Sequence, residues 1–160
     1  MFEIFRRKTK IADVTNGKIC TIQGEVEPPT PRLHFPLSKT ECVYYSVIEE
    51  RFGKGARGTG RPLWFPDNME SKCSEFFVAD GRRRIRIRES GERVALKGAH
   101  QESGQVRKNK RRRYFASLLK PGDKVIIRGL VNADPAEKEA FLSAPRNGLL
   151  KIRIVRKIAR

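Results

Sequence analysis

Basic side chains are the most concentrated chemical groups in this sequence, and one dense run of them directly follows Asp80-Gly81. Alternate side chains of a β-strand lie on one face about 7 Å apart. Such a strand would bring four arginines together, Arg82, Arg84, Arg86 and Arg88, while Ile85 and Ile87 would face the core on the other side. Like charges at that distance repel each other, so either solvent and a few acids such as Glu49 and Glu50 screen them or the face contacts phosphates. Because acids are scarce near this stretch of the sequence, we favour phosphate contact.

A second basic cluster lies in the segment VRKNKRRRY, residues 106–114. Its basic residues are Arg107, Lys108, Lys110, Arg111, Arg112 and Arg113. The composition is typical of a loop, which is either solvated or becomes ordered on a nucleic acid. Neutralising phosphates releases counterions, and that release would favour the ordered state.

Two smaller basic groups complete the candidate surface. Near the C-terminus, Lys151 and Arg153 alternate with Ile152 and Ile154, which predicts a strand with one basic face. The glycine-rich segment GKGARGTGR, residues 53–61, carries Lys54 and Arg57. It lacks the Gly-Lys-Ser/Thr of a Walker loop, so it is either a flexible connection or a loop whose backbone N–H groups contact phosphates.

Aromatic and titratable residues narrow the chemistry further. Tyr44 and Trp64 could stack on bases or guanidinium groups, or pack in the core. The two histidines and three scattered cysteines have no spacing suited to a catalytic triad, a metal site or a disulfide framework. Since no paired carboxylates converge either, we expect a non-catalytic protein without metal or cofactor.

Overall composition points to an anionic partner. The chain has 160 residues, of which 35 are Lys or Arg and 18 are Asp or Glu, giving a net charge of +17. Such an excess attracts polyanions. The length predicts one domain, residues 15–160, preceded by a basic arm, residues 1–14. No run is long and apolar enough for a membrane span, and the basic residues follow the apolar ones at the N-terminus, so we expect a cytoplasmic protein.

The elements that would position these residues are short strands separated by glycine and proline. Alternation predicts strands in KICTIQGEVE, CVYYSVIEE and EFFVA, near 94–96 and 124–131, and at the C-terminus. PPTPRLHFPLSKTE is expected to be a proline-rich loop, and LWFPDNMESKC to lead into the strand EFFVA. Asp80-Gly81 and Pro121-Gly122 predict tight turns. Asp134 and Pro135 are typical of a helix start, so one or two helical turns are expected in DPAEKEAFL. The predicted fold is all-β, a small OB-like barrel with long basic loops and at most one short helix.

Three segments resemble the GIDE domain, also called the BAM (beside-a-membrane) domain. They are TECVYYSVIEE, SEFFVADGRRRIRIRESG and LLKPGDKVIIRGLV, and the resemblance covers roughly residues 17 to 155. It implies a β-rich barrel of OB type. Family members usually have Thr-Gly and then acids after the turn, where this chain has Arg82, Arg83 and Arg84. Neither the family's membrane spans nor its RING is present, so the resemblance implies the fold and not ligase activity or membrane residence.

These observations favour an RNA-binding protein that contacts backbone phosphates, as part of a ribonucleoprotein such as the ribosome. Ribosomal or other structured RNA would be the main partner, with ribosomal proteins as further partners. One alternative is a membrane-surface or protein adaptor of GIDE type, in which Phe2, Ile4 and Phe5 would insert into the interface of a membrane. Another is an OB-like protein that binds single-stranded DNA.

Overall fold

The computed structural model of this protein describes residues 8–28, 31–54, 60–136 and 139–156. Within these ranges the chain forms β-strands and two single-turn 3-10 helices, Ile11–Asp13 and Gly91–Arg93. The strands are β1 Ile19–Glu27, β2 Leu33–His34, β3 Glu41–Cys42, β4 Tyr44–Gly53, β5 Leu63–Cys73, β6 Phe76–Asp80, β7 Arg83–Ile87, β8 Val94–Lys97, β9 His100–Val106, β10 Asn109–Leu119, β11 Lys124–Asp134, β12 Glu139–Ser143 and β13 Leu150–Ile154. The predicted all-β class is therefore confirmed.

Five strands close into a barrel in the order β1-β6-β7-β12-β11. The barrel closes because β11 pairs with both β1 and β12, which lie on opposite sides of it. Strands β6 and β7 form the hairpin predicted at Asp80-Gly81, and β7 then pairs in parallel with β12. Strands β13 and β8 extend the sheet beyond β11. This small barrel agrees with the OB-like architecture expected from the sequence.

A glycine permits the closure between β1 and β6. Gly24 lies at the point where the pairing of β1 changes from β11 to β6. The next residue, Glu25, pairs with both Lys124 and Ala79. A Cβ atom at Gly24 would lie 2.5 Å from the carbonyl oxygen of Ala79. Any side chain here would push the two strands apart, so glycine is required by the close approach of the backbones.

Alternate side chains of the barrel strands form the main core. Ile85 and Ile87, predicted to face inward, are 3% and 0% exposed. The largest side chains packed with them are Ile22, Phe76, Ile127, Leu142, Leu150 and Ile152. Part of the predicted N-terminal arm also contributes, because Ile11 belongs to this core and the Thr9 N–H donates to the Thr21 carbonyl at 2.6 Å. Residues 1–7 lie outside the described ranges.

A second, four-stranded antiparallel sheet has the order β5-β4-β10-β9. Its inner face packs on the segment that carries β2 and β3, which was predicted as a proline-rich loop. Phe35 of that segment lies 5.1 Å from the ring of Tyr45 and 5.5 Å from the ring of Tyr114. The other buried members of this second core are Cys42, Val47, Val106, Ala116 and Leu118. No segment of the described chain is paired along the outer edges of β5 and β9.

The prediction of a helix in DPAEKEAFL is wrong. Strand β11 continues through Asp134, and the chain returns as β12, with Asp134 opposite Glu139. The Asp134 carboxylate does accept a hydrogen bond from the Ala136 N–H at 2.9 Å, as a cap would, but it closes a turn. Pairing of β12 with both β11 and β7 overrides the local preference. Glu137, which follows Asp134 by three positions and would complete a capping box, lies outside the described residues.

One further segment differs from its prediction. LWFPDNMESKC, expected only to lead into the next strand, is itself strand β5. Its Pro66 lies opposite Glu50, next to an irregularity in the β4–β5 register, and β5 is an edge strand. Proline is tolerated at both kinds of place. Among the described residues, no helix is long and apolar enough to cross a bilayer.

Candidate nucleic-acid interface

Arg84 and Arg86 of β7, with Arg88 directly after it, lie on the outer face of the barrel, and we call these three residues the arginine row. Arg84, Arg86 and Arg88 point away from Ile85 and Ile87, as predicted, whereas Arg82 lies in the turn beside Gly81. Acids from other parts of the chain reach all three. The Glu27, Glu75, Asp134 and Glu139 carboxylates lie 2.6 to 3.8 Å from their guanidinium groups. The expectation that too few acids lie near these arginines was therefore wrong, and the acids suggested from the sequence, Glu49 and Glu50, contact Asn68 and Arg113 instead.

Aromatic rings complete the surroundings of this arginine row. The guanidinium groups of Arg84 and Arg86 lie 4.1 and 5.1 Å from the Phe77 ring centre, and that of Arg88 lies 4.5 Å from the Phe141 ring. Partial loss of hydration lowers the pKa of Arg88, but the Glu75 and Asp134 carboxylates raise it, and the net shift is upward. The three charges are therefore largely satisfied by acids and rings within the barrel.

The second basic cluster forms a hairpin and not the loop that the sequence predicted. Strands β9 and β10 flank a two-residue turn, Arg107-Lys108, with Val106 opposite Asn109. Both turn residues have positive φ, 51° and 60°, which matches the type I′ turns of two-residue hairpins. The Asn109 side chain also accepts a hydrogen bond from the Arg111 N–H at 2.9 Å. The basic residues of the cluster are thus held at the tip of a hydrogen-bonded hairpin.

Most charges at this hairpin tip are not balanced locally. Arg112 Nη2 lies 2.7 Å from Asp67 Oδ2, and Arg113 Nε lies 2.8 Å from Glu50 Oε1. The other four basic residues have no acidic partner within the part of the chain that the structure describes: Arg107, Lys108, Lys110 and Arg111. All four side chains are exposed. We call these four residues the basic tip.

An aromatic surface adjoins the basic tip on the outer face of the four-stranded sheet. The Arg113 guanidinium lies 4.0 Å from the Trp64 ring centre and 5.1 Å from that of Phe115. Trp64 in turn lies 5.3 Å from Phe52. A groove of about 300 Å³ runs along this region, lined in part by Trp64, Lys110, Arg113 and Phe115. The position of Trp64 is thus compatible with the stacking role predicted for it.

The other predicted site residues lie elsewhere. Tyr44 is 4% exposed and packs in the barrel core, where burial raises its pKa, so the stacking role predicted for it is wrong. Lys54 is exposed directly after β4, and Arg57 lies outside the described residues. On β13, Lys151 is exposed and Arg153 half-buried, while Ile152 and Ile154 are buried, which confirms the predicted alternation.

Sequence reasoning missed four residues of the outer face. Ile48, Phe52, Met69 and Phe115 are 40%, 40%, 72% and 45% exposed. Ile48 and Phe52 alternate with Glu50 in β4, which is a signal for a second apolar face on that strand. Met69 and Phe115 could not be placed beside them without the strand pairing, which puts both opposite Ile48.

The remaining titratable groups show no comparable cluster. His100 Nε2 lies 2.8 Å from Asp123 Oδ1, and Asp123 also accepts a hydrogen bond from the Lys120 N–H at the predicted Pro121-Gly122 turn. Burial is the largest cause that raises the pKa of Cys42 to about 11 and that of Cys73 to about 12, so both thiols stay protonated and weakly nucleophilic at neutral pH. Among the described residues, no group of three or more potential ligands could hold a metal ion.

No family model, curated protein or solved structure matches this chain. The resemblance to the GIDE domain therefore stays a prediction that rests on the three quoted segments.

Proposed function

We propose that this protein is a non-catalytic RNA-binding protein whose basic tip contacts backbone phosphates. The observation that carries the proposal is the contrast in charge balance between two basic regions of the chain. Arg107, Lys108, Lys110 and Arg111 are exposed and lack acidic partners among the described residues, whereas Arg84, Arg86 and Arg88 are paired. Phosphates are the commonest polyanionic partner for such a group.

Two further features support a nucleic acid over other anions. The net charge of +17 raises the local concentration of any polyanion around the protein. The outer-face aromatics beside the tip, Trp64 and Phe115, offer surfaces on which bases can stack. We favour RNA in a ribonucleoprotein, such as the ribosome, because phosphate contacts position a protein on structured RNA without requiring base-specific readout.

The salt dependence of binding tests this function. Binding of the purified, nucleic-acid-free protein to a fluorescent RNA would be measured over a range of salt concentrations. If the four residues of the basic tip each neutralise one phosphate, the plot of log K against log salt should have a slope of about −3 on single-stranded RNA. A slope near zero on single-stranded and duplex RNA would refute the proposal.

The same measurement on DNA of identical sequence separates RNA from single-stranded DNA as the preferred ligand. Crosslinking followed by peptide mass spectrometry would locate the contact, and crosslinks should concentrate in residues 106–115. Crosslinks confined to the strand that carries Lys151 and Arg153 would contradict the assignment to the basic tip. The membrane-surface alternative depends on Phe2, Ile4 and Phe5, which lie outside the described residues.

A further inference from the structure

The outer face of the four-stranded sheet is an exposed apolar surface in the middle of a charged protein. Its apolar side chains form cross-strand rows, since Phe115, Ile48 and Met69 lie opposite one another on β10, β4 and β5. Phe52 and Trp64 pair two rows further along the same face. The inner face of this sheet is covered by the segment that carries β2 and β3, whereas the outer face exposes its large side chains to solvent.

Charges on this face favour an anionic occupant. Glu50 is the acid that the register places on the outer face beside Arg113, and the two side chains are paired at 2.8 Å. The basic tip lies at the end of the same strand that carries Phe115. Exposed Lys54 follows the end of β4, the strand that carries Phe52. An apolar surface bordered by positive charges that have no acidic partner among the described residues suits a ligand with flat rings and a phosphate backbone.

The spacing of the rows distinguishes single-stranded from duplex nucleic acid. Rows two residues apart on a strand are separated by about 7 Å. Successive nucleotides along one strand of a duplex are about 3.4 Å apart, so stacked bases cannot match one row each. An unstacked strand can, with one base on Phe115, one on Arg113 in the next row and one on the Phe52–Trp64 pair in the row after it.

Arg113 is built into this surface as a fixed element. Its Nε donates to Glu50, and its guanidinium carbon lies 4.0 Å from the Trp64 ring centre and 5.1 Å from that of Phe115. Guanidinium planes serve as stacking surfaces for bases in the same way as aromatic rings. Phe115, Arg113 and Trp64 thus form a continuous series of groups on which bases can stack.

We infer that the outer face binds an unpaired segment of RNA, whose bases stack on Phe115, Arg113 and the Phe52–Trp64 pair while the basic tip holds its phosphates. This inference rests on the proposed function and adds the class of ligand. Phosphate contact alone does not select single strands over duplexes, and the aromatic side chains of the outer face would supply that selectivity.

The test compares two ligands, an unstructured oligouridine and a blunt-ended RNA duplex with the same number of phosphates. The variant Phe52→Ser/Phe115→Ser removes two exposed rings and should leave folding nearly unchanged. Its affinity for oligouridine should fall by about 10-fold or more, since each base–aromatic stack contributes roughly 5- to 150-fold. Its salt slope should stay the same, because no phosphate contact is lost. Leu149→Ser, at a site 43% exposed outside this sheet, is the matched control and should bind normally.

Fluorescence gives a second readout that a structural role would not affect. Trp64 is the one tryptophan of the chain, so intrinsic tryptophan fluorescence reports on the outer face directly. Oligouridine should quench it and the duplex should not. If Phe52→Ser/Phe115→Ser lost affinity for both ligands equally, or kept its affinity for oligouridine, the inference would be overturned. A steep salt slope would still uphold the proposed function.

A protein partner on the same face would also overturn it. In that case sedimentation would show the wild-type protein self-associating, Phe52→Ser/Phe115→Ser would abolish the association, and RNA affinity would not change. A flat salt slope for every RNA would instead refute the proposed function itself, so the two failures are distinguishable.

Discussion

Strand β7 of the barrel and the β9–β10 hairpin of the four-stranded sheet are both rich in arginine, but their surroundings differ. Arg84, Arg86 and Arg88 each lie within 3.8 Å of a carboxylate and near a phenylalanine ring. At the hairpin, Arg112 and Arg113 each lie within 2.8 Å of a carboxylate, whereas no acid of the described residues pairs with the basic tip. The density of basic residues along the sequence therefore does not identify the surface that is available to a polyanion.

The difference follows from where each segment lies in its sheet. Strand β7 has a neighbour on each side, β6 and β12, and these bring Phe77, Phe141 and Glu139 next to its arginines. The basic tip lies at a turn, beyond most of the cross-strand pairs, so fewer side chains can reach it. Cross-strand neighbours decide whether a charge is satisfied within the fold or left for a ligand.

The largest expected effect on stability distinguishes the buried core of the barrel from the exposed apolar face of the four-stranded sheet. Ile87→Ala in the barrel should lower the free energy of unfolding by about 2–4 kcal/mol, because Ile87 is fully buried and truncation leaves a cavity. Ile48→Ala, the same change on the outer face of the sheet, should cost about 1 kcal/mol or less, since Ile48 is 40% exposed. Chemical denaturation of both variants measures the difference.

A similar cost for both isoleucines would contradict this contrast. It would show that the outer face of the sheet is covered in solution, for example by a second copy of the protein. Denaturation at several protein concentrations checks that explanation, since the stability of an associated protein rises with its concentration.

A charge-matched pair of variants tests the two basic regions directly. Arg107→Gln/Lys110→Gln/Arg111→Gln and Arg84→Gln/Arg86→Gln/Arg88→Gln each remove three positive charges. The hairpin variant should lose about 100-fold in affinity for single-stranded RNA at 0.1 M salt, as expected for about three phosphate contacts, with its salt slope about 2 units shallower. Fluorescence anisotropy titrations at several salt concentrations provide both values.

The barrel variant should behave in the opposite way. Its RNA affinity should fall only as far as the change in net charge requires, and its melting temperature should drop, because four acids lose their partners. If the barrel variant instead lost affinity and kept its stability, the arginine row would provide the phosphate contacts and the assignment to the basic tip would be wrong.

Local patterns in the sequence predicted much of the barrel. Alternation and turn residues located β1, β6, β7, β11 and β13, and Ile85 and Ile87 were placed in the core, because strand periodicity and Asp-Gly turns are local properties. The basic faces of β7 and β13 were predicted from the same alternation. These features depend on residues close together in the chain.

Features that depend on distant pairing were not predictable in this way. Glu27 and Asp134 reach the arginine row from β1 and from the end of β11, so the sequence near residue 84 could not show them. The same holds for Met69 and Phe115, which meet through β4. Tyr44 was misassigned because both faces of β4 are buried at that end of the strand, against the barrel core on one side and the second core on the other.

The stability of the protein at alkaline pH tests whether Cys42 is buried in the second core. Its pKa is raised to about 11 from an ordinary value of 9.0, chiefly by burial. The folded state therefore holds this proton more tightly than the unfolded state, so the stabilising contribution is complete below pH 9 and is lost as the pH rises toward 11. The free energy of unfolding should decline with a contribution of about 1 kcal/mol per pH unit from this thiol.

Cys42→Ala is the control for this decline, because Cys20, Cys73 and Tyr45 also have raised pKa values and titrate in both proteins. The difference in unfolding free energy between wild type and variant should change between pH 9 and 11 and be constant below pH 8. A constant difference across the whole range would show that the Cys42 thiol is accessible to water.

The smallest expected effect comes from single charges in the two basic regions. Arg86→Gln should cost about 1 kcal/mol of stability, because Glu75 and Glu139 lose a partner and the contact with Phe77 weakens. It should leave the salt slope of RNA binding unchanged. Lys110→Gln should do the reverse, with stability within about 0.5 kcal/mol of wild type and a slope shallower by about 0.7. Denaturation and salt titration of both variants complete the comparison. If Lys110→Gln destabilised the fold and Arg86→Gln reduced the slope, the paired arginines would exchange their acids for phosphates on binding, and local charge balance would not predict the RNA contact.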